Sequence, residues 1–184
     1  MLKKSSLLEI KANFESHLLC QNNAQKEFEK FLQDKSYYEL LNKNTSNAEV
    51  AWENLEYKTN PYYPEQCNVP CPSGHSVRSK SEAFIDLALS NRGIIFRYEC
   101  ELVLEKQTYY PDFTLINPNT KELVYWEHFG MMDDAGYAKA AFNKMKAYYE
   151  HGLVPGKNAI FTFETRSNPF TYAEAEAALA LMKL

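Results

Sequence analysis

The chain has 184 residues, 45% of them apolar and 24% charged, which suits one globular domain with an appendage and excludes disordered, collagen-like and coiled-coil classes. Lys and Arg number 20 against 24 Asp and Glu, for a net charge of −4, so the composition lacks the basic footprint that phosphate binding normally leaves. Four cysteines, Cys20, Cys67, Cys71 and Cys100, are too few and too scattered for a disulfide framework, and a reduced, cytoplasmic setting is expected.

In chain order, the N-terminus MLKKSSLLEIKANFE starts with the basic residues of a signal peptide, but Glu9 and Lys11 interrupt the apolar core such a peptide needs. Leu7, Ile10, Phe14 and Leu18, then Ala24, Phe28 and Phe31, predict one amphipathic helix over residues 5–33, an arm able to dimerise or dock a partner. A second helical patch covers residues 37–41. Residues 1–57 are therefore expected to be a helical arm. Residues 58–76 hold Pro61, Pro64, Pro70 and Pro72, and read as a linker or a wrapped loop. No apolar run is long enough to span a membrane.

From residue 77 to 184 the periods alternate quickly, the mark of an α/β unit. SKSEAFIDLALSNRG predicts a helix closed by Gly93. IIFRYECELVLE alternates, with Phe96, Tyr98, Cys100, Leu102 and Leu104 inward and Arg97, Glu99, Glu101 and Glu105 outward, and predicts one half-buried strand. YYPDFTLI and ELVYWEHF are two further strands, joined through the turn NPNTK. A helix over residues 137–150 follows, then the strand AIFTFE and an Ala-rich helix over residues 172–183.

The strongest chemical feature is a pair of acids on adjacent strands, Asp112 in YYPDFT and Glu127 in VYWEHF, each among apolar neighbours. A carboxylate there is costly to ionise without a positive neighbour, and a divalent metal supplies one. Two carboxylates, a backbone carbonyl and water make a hard oxygen site for Mg²⁺ or Mn²⁺. In the following helix Tyr137, Ala141, Lys144 and Tyr148 share a stripe opposite Lys139, Asn143, Lys146 and Glu150, so Lys144 points inward, toward an anion or snorkelling to water.

YPDFT, a hairpin, then YWEH, preceded by SKSE and followed by a Lys-bearing helix, resembles the PD-(D/E)XK phosphodiesterase superfamily over roughly residues 77–164. The resemblance implies a restriction-endonuclease-like α/β core and a metal-dependent hydrolase, an endonuclease or other nuclease acting on DNA. It implies Asp112 and Glu127 as metal ligands, with the main-chain carbonyl of His128 as another. Glu82, on the first core helix, either completes the metal set or closes an S-x-x-E capping box with Ser79. The sequence departs from the family at the motif lysine, where Phe129 stands. Either the lysine has migrated to Lys144, or the fold is catalytically silent and binds nucleic acid or a protein partner.

Arg78, Lys80 and Tyr149 are candidate substrate contacts. Tyr109, Tyr110, Trp126 and Tyr148 are candidates for base stacking, with core packing as the alternative. The His128 side chain is expected to face away from Glu127. Asp133 and Asp134 are placed to cap the next helix. Cys67, Cys71 and His75 have no standard zinc spacing and no fourth ligand in the pattern. Metal neutralisation of Asp112 and Glu127 would reconcile a chain of net charge −4 with a nucleic-acid substrate.

Overall fold

The structure, a computed structural model, describes residues 47–184. The predicted arm helix, the patch at residues 37–41 and Cys20 lie outside the described residues. Residues Asn47–Leu184 form one unit, a mixed α/β arrangement whose elements in chain order are α1 (Asn47–Asn54), a 3₁₀ turn (Pro64–Gln66), β1 (Val69–Pro70), β2 (Ser76–Val77), α2 (Lys80–Asn91), β3 (Phe96–Tyr98), β4 (Leu102–Leu104), β5 (Gln107–Tyr109), β6 (Phe113–Ile116), β7 (Leu123–Phe129), α3 (Ala135–Glu150), β8 (Ala159–Phe163) and α4 (Tyr172–Leu181). Among the described residues no helix is long and apolar enough to cross a membrane.

Four strands make the central sheet in the order β3-β6-β7-β8. β6 is antiparallel to both β3 and β7, whereas β8 returns through α3 to run parallel to β7. Alternation along the strands sends side chains to two faces. Phe113, Leu115, Val124, Trp126 and Ile160 join Ile85 and Leu89 of α2 and Ala175 and Leu179 of α4 in the larger core. Tyr125, Ala159 and Phe161 point the other way, where Tyr148 of α3 and Leu102, Leu104 and Tyr109 of β4 and β5 cover them. Asp112 and Glu127, one step out of phase with Phe113 and Trp126, consequently belong to the α3 face.

The helix boundaries follow their local chemistry. Ser79 caps α2 by accepting from the Glu82 N–H at 3.1 Å. Asp134 caps α3 by accepting from the Tyr137 N–H at 2.7 Å. Gly93, after α2, has a φ of 62°, a conformation that favours glycine and lets the chain turn directly into β3. Thr171 and Glu174 close α4 with a reciprocal capping box.

The strand expected through IIFRYECELVLE is instead broken at Glu99, which adopts a φ of 46°. A non-glycine residue in that region costs about 1–2 kcal/mol, and its contacts offset the cost. Arg78 grips the Glu99 carboxylate with two parallel bonds, Nε to Oε1 at 2.7 Å and Nη2 to Oε2 at 2.9 Å. Asn60 adds two more, from its backbone N–H to the Glu99 carbonyl at 3.1 Å and from Nδ2 to Oε1 at 3.0 Å. Beyond this bend the chain leaves the sheet and forms the separate β4–β5 hairpin.

Arg97 and Glu99, expected at the solvent face, are therefore both buried. Arg97 lies between aromatic rings, its guanidinium carbon 4.1 Å from the Trp52 centroid and 4.6 Å from that of Tyr57, and it donates to the carbonyls of Trp52 and Leu55. These contacts bind α1 to the unit, so the compact part begins well before residue 77. Residues 58–76 make contacts with the rest of this unit. Thr59 bridges to Cys100, β1 pairs with β2, and Cys67, Val69 and Cys71 pack on the larger core.

Candidate active site

The site forms where β6 begins. Phe113 of β6 pairs with Trp126 of β7, and carrying that register one residue outward sets Asp112 opposite Glu127. No further backbone rung forms there. Instead the Asp112 carboxylate replaces the missing carbonyl, its Oδ2 accepting from the His128 N–H at 2.7 Å. The preceding Pro111 is buried and has no N–H to satisfy, while the Asp112 carbonyl accepts from the Glu99 N–H at 2.9 Å. Backbone bonds on both sides thus fix Asp112.

Glu127 is buried on the sheet face under α3. Lys144 Nζ bonds its Oε1, and the Tyr148 hydroxyl donates to Oε2 at 3.1 Å. Both partners come from the stripe Tyr137, Ala141, Lys144 and Tyr148, whose members are buried or half-buried, while Lys139, Asn143, Lys146 and Glu150 are exposed. Lys144 keeps 30% of its side chain accessible, so the ammonium sits between the acid and the solvent. Tyr148 is fully buried and is held by the edge of Tyr109 and by stacking with Phe161.

The electrostatics follow from a buried acid, Glu127, and a half-buried one, Asp112, near a single ammonium. Burial pushes the Asp112 carboxyl well above its ordinary pKa, and the nearby charges of Glu127 and Glu82 push it further, against attraction by Lys144 and the His128 N–H bond. Glu127 is raised by burial too, with Lys144 and Tyr148 opposing. Burial alone would disfavour the Lys144 ammonium, but attraction to Glu127 and Asp112 outweighs it and holds its pKa above the usual lysine value. Tyr148 is kept as a neutral phenol by burial and by the Glu127 charge.

Several residues singled out from the sequence do other work. Glu82 is taken up at the start of α2, where Oε1 accepts from Ser79 Oγ at 2.7 Å and Oε2 accepts from the Arg78 N–H at 3.1 Å and the Tyr98 hydroxyl at 2.5 Å. It is a helix-start anchor, reaching one residue beyond the usual capping box, and it influences Asp112 through its charge alone. Among the described residues no three His, Cys, Asp or Glu side chains gather to hold a metal ion. The expected set of Asp112, Glu127 and Glu82 is therefore not gathered as three ligands, and Cys67, Cys71 and His75 do not form a centre either.

Arg78 is not available to a phosphate, because its guanidinium is consumed by Glu99 and by the carbonyls of Tyr62 and Tyr63, each at 2.7 Å. Lys80 is exposed at the start of α2 with its ammonium 5.5 Å above the Phe84 ring. Tyr149 is exposed on the side of α3 away from Lys144. Trp126 is sealed in the larger core with Nε1 donating to Thr162 Oγ1 at 3.0 Å, so it cannot stack on a base. Phe129 is buried against Phe161 and Phe163, and the ammonium nearest the acid pair is that of Lys144.

His128 points to the opposite face from Glu127. Its ring lies 4.7 Å from Phe170, Nδ1 is 3.0 Å from Thr162 Oγ1, and Nε2 is 3.4 Å from Glu164 Oε1. Burial lowers its pKa although Glu164 pulls the other way. Glu164 was not singled out from the sequence, yet Oε2 accepts from Ser81 Oγ at 2.9 Å and from the Phe170 N–H at 2.8 Å. It ties α2, β7 and the loop before α4 together. Only its position at the end of β8, one residue past the last strand residue, hinted at such a role. Around the start of α3, Gly130, Met131, Asp133, Asp134, Tyr137 and Arg166 line an open cleft of about 390 Å³. Compared with known proteins, the chain matches no family model, no curated protein and no solved structure.

Proposed function

We propose that the protein is a divalent-metal-dependent nuclease that hydrolyses phosphodiester bonds in DNA, built on a restriction-endonuclease-like core. The observation that carries this reading is the placing of Asp112, just before β6, across from Glu127 of β7, with Lys144 of α3 bonded to Glu127 and near enough for its charge to act on Asp112. The order helix, three strands, helix, strand from residue 80 onward, with β3, β6 and β7 as the three strands, agrees with it once β4–β5 is read as an insertion.

The donor set fits Mg²⁺ or Mn²⁺. Both are hard cations, and Mg²⁺ in particular is commonly held by one or two carboxylates together with substrate phosphate oxygens rather than by a closed protein cage. Asp112 and Glu127 would hold the ion, with the His128 carbonyl as the expected third oxygen. A bound ion would lower the pKa of a water molecule and offset charge on the scissile phosphate. Its charge would also oppose the burial and the repulsion from Glu127 and Glu82 that raise the Asp112 pKa.

The chain's own groups would then act as follows. Asp112 is oriented by the His128 N–H, so its second oxygen is left to face the ion. Tyr148 holds one oxygen of Glu127 in place. Lys144 is close to the acid pair and partly accessible, so its ammonium can turn from Glu127 to a non-bridging phosphate oxygen as charge develops there, an interaction strongest in the transition state.

The test is hydrolysis of single-stranded, duplex and branched DNA in Mg²⁺ or Mn²⁺. Cleavage is expected in the parent and should be lost in Asp112→Ala and Glu127→Ala. Activity that survives either substitution overturns the assignment. Metal-independent binding of DNA with no cleavage under any condition would favour the silent nucleic-acid-binding module instead.

A further inference from the structure

Helix α3 also has an exposed outward face. Opposite the stripe that carries Lys144 and Tyr148, the residues Lys139, Phe142, Lys146 and Tyr149 follow one another at intervals of three, four and three, so they form a single outward row. Phe142 is 62% exposed and Tyr149 is 63% exposed, and among the described residues neither ring has a stacking partner. Core packing accounts for neither of them. Lys146 lies 3.7 Å from Glu150, but both side chains are more than half exposed and water screens the pair, which leaves the ammonium free to exchange partners.

A row that alternates ammonium, ring, ammonium, ring has the chemistry of a surface for unpaired bases on a phosphate backbone. The rings offer π-faces to bases, and the lysines meet phosphates. A duplex does not suit it, since paired bases hide their faces within the stack. Seven helical residues separate the two rings by roughly 10 Å along the axis, enough to engage two separate bases of one extended strand.

We propose that the outward face of α3 binds single-stranded DNA, with Phe142 and Tyr149 stacking on bases and Lys139 and Lys146 contacting phosphates. The choice of DNA rests on the nuclease reading above. The row and the acid pair lie on opposite sides of a helix about 10–12 Å across, so the surface holds a strand a few nucleotides away from the point of cleavage and is separate from the catalytic groups.

The experiment measures fluorescence anisotropy of a labelled oligo-dT of about twenty nucleotides with the full chain in EDTA, where cleavage is prevented. The oligonucleotide should bind more tightly than a duplex of equal length. Phe142→Ala with Tyr149→Ala should weaken binding at least tenfold, since each stacked base contributes about 1–3 kcal/mol, while Phe142→Trp with Tyr149→Trp should retain it. Lys139→Ala with Lys146→Ala should reduce the slope of log K against log salt by about 1.4, the value for two single-strand phosphate contacts. Unchanged binding by the double alanine variant, equal affinity for the duplex, or preference for oligo-rU would each overturn the proposal. So would a loss of self-association in sedimentation with oligonucleotide affinity intact, which would mark the row as a contact with a second copy. Failure of the nuclease reading is scored separately, as absence of metal-dependent hydrolysis in the parent.

Discussion

The Lys144 ammonium bonds Glu127 Oε1 across the space between α3 and the sheet, and this ion pair joins the two elements that build the candidate active site. An inward lysine on an amphipathic helix has found its anion in a strand seventeen residues earlier. The pair has consequences for turnover and for pH.

Replacing Lys144 by Ala should reduce turnover about 10²–10³-fold, the usual cost of removing a group that stabilises transition-state charge. It should also move the acid limb of the pH–rate profile to higher pH. Lys144 lowers the Glu127 pKa, so its removal raises that pKa and delays ionisation of the acid. Steady-state rates across a pH series check both expectations. A profile scaled down uniformly would argue against coupling between the two groups.

Asp112 should make stability depend on pH in a direction that metal reverses. Its pKa in the folded protein is raised above the unfolded value of about 3.9. Its contribution to stability is therefore full below that value and is lost as the pH rises through the higher folded value. In EDTA, Asp112→Asn should melt at a higher temperature than the parent near neutral pH, and the gap should close toward pH 4. Mg²⁺ should raise the parent's Tm increasingly with pH and leave the variant unchanged. Thermal scans with and without Mg²⁺ read this directly.

Tyr148→Phe keeps the buried ring and removes only the hydroxyl that donates to Glu127. The expected loss of stability is about 1.5–3 kcal/mol, the range for hydrogen bonds to charged groups. Turnover should fall about tenfold, because Glu127 loses one of its two positioning partners. Urea titration and cleavage rates on the same preparation separate the two effects.

Arg78→Ala should destabilise the fold by about 3–5 kcal/mol, since it leaves the buried Glu99 carboxylate without its cation. Substrate affinity, measured where the variant remains folded, should be unaffected. A weakened substrate affinity with stability unchanged would restore Arg78 to the substrate contacts expected from the sequence.

Much of the α/β framework was legible in the sequence, because local chemistry and periodicity determine it. Ser79, Asp134, Gly93 and the helical stripe of α3 announce where helices begin, end and face. The inward direction of Lys144 was readable too, since a 3.6-residue period needs no tertiary information. Tertiary structure alone decided the rest. The alternation through Phe96, Tyr98 and Cys100 reads as a single strand, but Arg78 and Asn60 bind Glu99 from distant segments and bend the chain out of the sheet. Arg97 looked like a solvent residue until Trp52 and Tyr57 enclosed it. Glu82 could serve a metal or a helix start, and its bonds to Arg78, Ser79 and Tyr98 engaged both oxygens at the helix. A charged group's role depends on which partner reaches it, and those partners lie far away in the chain. The sequence determined which residues could carry charge inward. Packing determined which charges met.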